Sequence, residues 1–248
     1  MHNRTLHKRF GLFTQMSFVI AIPISFALIS QSAQAFEPYQ ATYNFNIAGL
    51  LNGNASRTLS QQDGLWNYTF KASVVSMATA SEVSHFRYES SKIQTLDHAY
   101  NFKFLNNIKN SSFKIDWPNK IVTASSTKNG DTSYPAQVGA LDMLNLELQV
   151  REDIKHKQLR PSYLLASEKG ITEIQFVNEG EEKVETPAGE YEAVKLRLVQ
   201  DNEKRKTYFW LAPKLDYLPV RVHQDDGNLS YELNLTSYQV TGKTTAEK

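Results

Sequence analysis

The sequence predicts a mainly β protein: a large, strongly curved antiparallel sheet or incomplete barrel, wound as a meander, with one amphipathic helix covering it. Three observations predict this. Apolar and polar residues alternate with period two along most of the chain. Short turns rich in Gly, Asn, Asp and Pro separate the alternating runs. Only one segment carries apolar residues at helical spacing. Period two places successive side chains on opposite faces of a strand, so each run has one face to bury.

The first run is Tyr39, Ala41, Tyr43, Phe45 and Ile47, alternating with Gln40, Thr42, Asn44 and Asn46. Gly49 and Asn52-Gly53 mark a turn, and Ala55, Arg57 and Leu59 continue on a weaker strand. After Gln62-Asp63-Gly64, one face carries Trp66, Tyr68, Phe70, Ala72 and Val74. Residues 83–90 alternate through Phe86 and Tyr88. Tyr100, Phe102 and Phe104 form the next face, then Phe113, Ile115 and Trp117. Pro118-Asn119-Lys120 turns the chain into a short strand at 121–125. Aromatic and β-branched residues between polar turns read as antiparallel hairpins.

The rhythm breaks once. Leu141, Leu144, Leu148, Arg151 and Ile154 fall at helical spacing among good helix formers, which predicts one helix over 141–155. Asp142 sits where an acid favours a first turn. The apolar stripe is expected to pack on the sheet. Strands then resume at 163–167 and 171–177. An acidic solvated edge is expected at 179–185, and a turn at Thr186-Pro187-Ala188-Gly189. Further runs at 191–199, 205–211, 220–224 and 229–240 close the sheet, for eleven or twelve strands in all. With no linker in sight, 36–240 reads as a single β-rich domain, and 241–248 as a polar tail.

The first nine residues hold Arg4, Lys8 and Arg9 and no acid. An apolar run follows from Met16 to Ile29, then Ala33-Gln34-Ala35. These are the three parts of a secretory signal, so export to the periplasm with cleavage after Ala35 is expected. The apolar run is too short for a membrane-spanning helix, and no later stretch is longer, so no transmembrane segment is expected after cleavage. The chain has no cysteine, which excludes disulfides and a lipid-modified cysteine. Residues 36–248 hold 24 Lys and Arg against 26 Asp and Glu. A near-neutral chain without a basic block gives no footprint for nucleic acid.

Motifs exclude several chemistries. Four histidines follow residue 35, namely His85, His98, His156 and His223, none at metal-ligand spacing, so no metal and no cofactor is expected. Asp225-Asp226-Gly227 reads as a hairpin turn rather than a calcium loop. Ser84 and His85 point to opposite faces of one strand and cannot form a hydrolytic pair. Asp97, Asp116, Glu89 and Asp216 lie beside aromatic residues. Paired carboxylates in a cleft would serve sugar cleavage, and ion pairs with Arg87, Arg221 or Lys103 are the plainer reading. Trp66, Trp117 and Trp210 read first as core. Otherwise they form a stacking platform for sugars or a greasy cleft for acyl chains. With Asp116, Arg221 and His223 they make up the candidate ligand-binding set. Arg221 and His223 alternate with Val220 and Val222 and so point away from that strand's apolar face.

The order of motifs resembles a known family. It runs through Tyr39-Gln40-Ala41-Thr42-Tyr43, Gly49-Leu50, Arg57-Thr58-Leu59, Glu89-Ser90-Ser91 and Ile115-Asp116-Trp117. Thr186-Pro187-Ala188-Gly189, Trp210-Leu211-Ala212-Pro213 and Leu218-Pro219-Val220-Arg221 are its most specific parts. The chain is similar over nearly all of its mature length to the bacterial family filed as domain of unknown function 3108. The resemblance implies an exported, β-rich envelope protein and no established activity, so no catalytic residue is carried over. A curved sheet with a covering helix also looks like the periplasmic carriers of lipoproteins.

Three functions are therefore expected in turn. The first is a non-enzymatic binding or carrier module with an apolar or aromatic cleft for a lipid, lipoprotein or glycan. The second is a hydrolase or lyase acting on envelope polysaccharide. The third is a structural partner in an envelope assembly, joined by strand addition at an open edge.

Overall fold

The structure is a computed structural model in which residues 36–75, 77–199, 204–227 and 229–242 are described. The expected signal segment and residues 243–248 of the expected tail lie outside the described residues.

The alternating runs all become strands of one sheet. In chain order these are β1 (Tyr39–Ile47), β2 (Leu51–Gln62), β3 (Leu65–Val74), β4 (Ala78–Glu89), β5 (Lys92–Phe104), β6 (Asn107–Asp116), β7 (Ile121–Ser126), β8 (Gly130–Pro135) and the two-residue β9 (Ala140–Leu141). The helix α1 (Met143–Lys155) follows. Then come β10 (Tyr163–Ser167), β11 (Gly170–Thr186), β12 (Gly189–Val199), β13 (Lys206–Ala212), a 3-10 turn (Pro213–Leu215), β14 (Leu218–Asp225) and β15 (Ser230–Val240). The spatial order is β8-β7-β6-β5-β4-β3-β2-β1-β15-β14-β13-β12-β11-β10-β9. Sequential strands pair except β8 and β9, which are the two ends of the order, and among the described residues the pairing distant in sequence is β1 with β15 at the centre. Every pairing is antiparallel except β9 with β10, which is parallel because α1 carries the chain across between them. There are fifteen strands rather than eleven or twelve, and β8 and β9 are the two that no alternating run announces, being short and poor in apolar residues.

The sheet curls around its apolar face. Cross-strand register puts Tyr43, Ala55, Ala72 and Ala80 in one inward row, and Trp66 beside Phe86 in another. Register shifts on β4–β5, β11–β12, β13–β14 and β1–β15 add residues to one strand of a pair. Each such bulge increases local twist and helps the sheet roll. The edges β8 and β9–β10 come face to face. Tyr134 Oη donates to the Ser167 carbonyl at 2.6 Å and Thr132 Oγ1 to the Glu168 carbonyl at 3.2 Å. Beneath this seam Phe113, Ile115, Val122 and Ala166 form a separate apolar cluster. No backbone ladder joins β8 to β10, so the barrel is incomplete. Residues 179–185 pair only with β12, an exposed edge as expected from their acids.

The helix starts at Met143, with Leu141 in β9 and Asp142 as its N-cap. It is buried on every side from Leu144 to Ile154, so it fills the lumen instead of lying amphipathically over it. The reason is chemical: the sheet supplies partners for the helix's polar face. Among the described residues no helix is long and apolar enough to cross a membrane.

Candidate functional site

The lumen has two levels. One end is plugged by α1, and its polar contacts with the inner sheet face form two buried networks. In the first, Arg57 of β2 pairs with Glu147 of α1 and also donates to Tyr68 Oη at 3.0 Å. Tyr68 Oη donates to Glu147 Oε1 at 2.8 Å, Tyr39 Oη to Tyr68 Oη at 3.1 Å, and Arg151 to Tyr39 Oη at 3.0 Å. Burial works against the charge on Arg57. The Glu147 carboxylate and the surrounding tyrosine oxygens more than offset it, so the guanidinium stays charged. Burial also pushes Tyr39 and Tyr68 upward, which keeps both hydroxyls protonated as donors.

The second network surrounds the start of the helix. Asp142 Oδ1 accepts from the Leu144 and Asn145 backbone N–H groups at 2.9 and 3.0 Å. Its Oδ2 accepts from Ser84 Oγ and Asn145 Nδ2, each at 2.6 Å. Asn145 Nδ2 also donates to Thr95 Oγ1 at 2.9 Å. His98 stacks on Phe113, with its Nε2 3.6 Å from Glu82 Oε2, too long for a direct hydrogen bond. Both networks lock the helix in place. Ser84 is engaged as a donor to a carboxylate and is not activated as a nucleophile.

The other end of the lumen has no helix. There the inward positions are Phe45 of β1, Phe70 of β3, Glu82 of β4, Tyr100 and Phe102 of β5, and Tyr231 of β15, all half-buried. The rings form a surface: Phe45 meets Tyr231 edge-on at 5.9 Å, and Tyr100 stacks on Phe102 at 6.4 Å. The curl brings β15 across to β4 and β5. Burial, with the charges of Glu82 and Tyr231 nearby, pushes Tyr100 up to about 12. Arg57 lies 5.1 Å from the Phe70 ring centroid at the floor of this region, and its Nε has no hydrogen-bond partner. Such an end offers aromatic walls and one buried, unpaired N–H donor, a combination suited to an apolar chain with a polar end.

The residues singled out from sequence are not gathered here. Trp66 lies in the plugged end, stacked on Phe86 at 6.0 Å and edge-on to Phe36 at 5.7 Å, and is only 2% exposed. Trp117 sits near the seam, its indole N–H bonded to the Thr95 carbonyl at 2.7 Å. Asp116 is exposed, and the Asn119 side-chain and backbone N–H groups hold its carboxyl below the usual range. Trp210, Arg221 and His223 do come together, on the outer face. Trp210 bonds Glu182 and is flanked by Lys195 at 5.2 Å and Arg221 at 5.7 Å. Arg221 donates to Asn234 at 2.9 Å, and His223 lies 3.6 Å from Glu232. Trp210 and Arg221 are bonded within this patch, whereas His223 Nδ1 has no hydrogen-bond partner. The acids are likewise engaged locally: Asp97 with His85 at 2.7 Å, and Asp216 with Lys155 at 2.6 Å, not with Arg87, Arg221 or Lys103.

Sequence reasoning placed Phe45, Phe70, Tyr100 and Phe102 on strand faces, and Tyr231 within the run 229–240, but favoured tryptophans for the site. The signal that separates them is position along the strand. These five lie in the strand halves remote from the helix, where no other element covers them.

On the outside, β2–β6 form a shallow trough of about 620 Å³, lined by Asn54, Ser56, Lys71, Ser81, Asn101 and Lys103 among others. Its outward rows carry hydroxyls, amides, two lysines and Ile108, and Tyr43 and Phe102 of the intervening inward row also border it.

A solved structure shares the fold: the beta-barrel-like protein of domain of unknown function DUF1849 from Brucella abortus. It is 12% identical, with a TM-score of 0.54 over 83% of this chain and 98% of that one. No curated protein matches the chain significantly. Residues 38–236 match the family described as protein of unknown function DUF3108, a span covering all but the ends of the β domain, and the chain belongs to that family.

Proposed function

We propose that the protein is a non-enzymatic binding or carrier module of the cell envelope, exported to the periplasm and cleaved after Ala35. Its ligand is an apolar chain, such as the acyl chain of a lipid or lipoprotein, taken into the helix-free end of the lumen. One observation carries this reading. Five inward-facing aromatic side chains remain half-buried at that end, while at the other end α1 is buried from Leu144 to Ile154. A domain that needed only stability would gain by covering such rings. The charge of Arg57 is balanced by Glu147, but its Nε has no hydrogen-bond partner and supplies a donor for a polar group at the inner end of the chain.

The test is extraction of the protein purified from its own periplasm, with mass spectrometry of the organic phase. Stoichiometric lipid is expected, and its loss from a Phe70→Asp, Tyr231→Asp variant that still folds. A parent protein free of lipid, which also fails to take up a fluorescent fatty acid, contradicts the reading.

A further inference from the structure

The hairpin tips at the helix-free end carry an unusual load. Among the described residues eleven large hydrophobic side chains are exposed, and six of them stand here: Leu50, Val75, Phe104, Leu105, Ile108 and Leu229. They belong to four hairpins, β1–β2, β3–β4, β5–β6 and β14–β15, that are neighbours around the sheet. Leu50 and Val75 are each 82% exposed, and Leu105 and Ile108 each 55%. Single exposed apolar residues are ordinary, but a row on adjacent tips needs a reason.

The tips are tied into one rim. The Leu105 N–H donates to the Met77 carbonyl at 2.9 Å, joining the β5–β6 turn to the β3–β4 turn. The Ala48 N–H donates to the Ser230 carbonyl at 2.8 Å, joining β1–β2 to β14–β15. Between these pairs Gly53 lets β2 approach β3 closely, since a Cβ there would lie 2.1 Å from the Ser73 carbonyl oxygen. The rim is therefore held by backbone contacts and does not depend on side-chain packing at the tips.

Charge selects the partner. The stretches 40–62, 64–81 and 98–115, which form three of these hairpins, hold Arg57, Lys71, Lys103, Lys109 and Lys114 and no Asp or Glu. Lys71, Lys103 and Lys109 are exposed near the tips. Lys71 and Lys103 border the hydroxyl-rich outer trough, and Lys109 lies 5.9 Å from the Phe102 ring centroid at the lumen side. The fourth hairpin, β14–β15, carries Asp225 and Asp226 beside Leu229, with Asp226 Oδ1 accepting from the Leu229 N–H. The three acid-free tips, with Lys71, Lys103 and Lys109 beside them, match a bilayer surface bearing anionic headgroups, where tips enter the acyl boundary and lysines meet phosphates.

We propose that this rim docks the protein on an anionic lipid bilayer, with the helix-free end of the lumen facing the membrane. Docking goes beyond the ligand reading and does not require it. A protein with an empty lumen would still bind vesicles, and a lipid-filled protein with a silent rim would not.

The purified chain is sedimented with phosphatidylcholine vesicles and with phosphatidylcholine–phosphatidylglycerol vesicles, its N terminus recorded by mass spectrometry. Binding is expected only with phosphatidylglycerol present, falling as salt rises. Each Lys→Glu change at Lys103 or Lys109 should weaken it at least about fivefold, as expected when a basic residue near an anionic surface is lost. The Val75→Asp, Leu105→Asp double variant should abolish binding. Ile121→Asp, an exposed apolar residue at the opposite end, should match the parent. Circular dichroism melts confirm that each variant folds, since the substituted side chains are exposed. Equal binding to both vesicle types, or loss shared by Ile121→Asp, overturns the proposal. So does a parent that ignores vesicles but forms a dimer that Val75→Asp, Leu105→Asp dissolves, since the rim would then be a contact between copies of the chain.

Discussion

At the scale of single residues, the plugged end rests on buried charge, and its cost shows when one partner goes. Arg57 and Glu147 are both nearly excluded from water and share Tyr68 as a third member. Glu147→Gln leaves an unneutralised guanidinium in the lumen, which should lower stability by about 3–5 kcal/mol in urea unfolding. An effect under 1 kcal/mol would mean that water reaches the pair. His98 gives a pH signature. Burial lowers its pKa, but Glu82, Asp142 and Asp97 together raise it above the ordinary 6.5. A raised folded value means that its contribution is fully present below about pH 6.5 and is lost as pH rises through that folded value. Asp142, pushed up by burial despite its donors, acts in the same direction. The melting temperature of the parent should therefore fall across this window relative to His98→Gln, and parallel pH profiles would refute the assignment.

At the scale of elements, α1 is the part that sequence pattern described least completely. Its span was legible to within two residues, because leucines at helical spacing are a local signal, and Asp142, read as an acid of the first turn, is the N-cap just before it. The burial of α1 on all sides was not legible. Arg151 reads as part of the leucine row, and nothing local says that Ile93 waits to bond Gln149, Tyr39 to bond Arg151, or Tyr163 and Arg160 to bond Asp153. The strands show the same division. Alternation reveals which face of β3 is buried, but not that Trp66 is covered by Phe86 and Phe36 while Phe70 is left half-open, because that depends on elements distant in sequence. Asp142 makes a direct test. Asp142→Ala removes the acceptor for two backbone N–H groups and strands Ser84 and Asn145. The loss should exceed the roughly 1 kcal/mol of an ordinary exposed cap, and Asp142→Asn should recover part of it. A loss no greater than that of an exposed cap would remove the buried network from the account.

At the scale of the molecule, one sheet rolls until its edges meet at side chains. A curved meander was readable from the number of runs and from the need to hide edges. The seam was not, because Tyr134 and Ser167 lie on opposite sides of the helix in sequence. Tyr134→Phe should cost about 1 kcal/mol and speed amide exchange in β8 and β10, with β1 and β2 unaffected. Uniform acceleration would mean that the seam is no separate unit. Rolling also divides the lumen, with the helix at one end and half-buried rings at the other, under a rim of apolar tips. The central claim is that this second end receives an apolar chain. A fatty acid carrying a photoreactive diazirine, crosslinked to the protein and mapped by peptide mass spectrometry, tests it most directly. The account predicts adducts at Phe45, Phe70, Tyr100, Phe102 or Tyr231, suppressed by unlabelled fatty acid. Adducts confined to the outer face around Trp210 and Arg221, or none that competition removes, would contradict it.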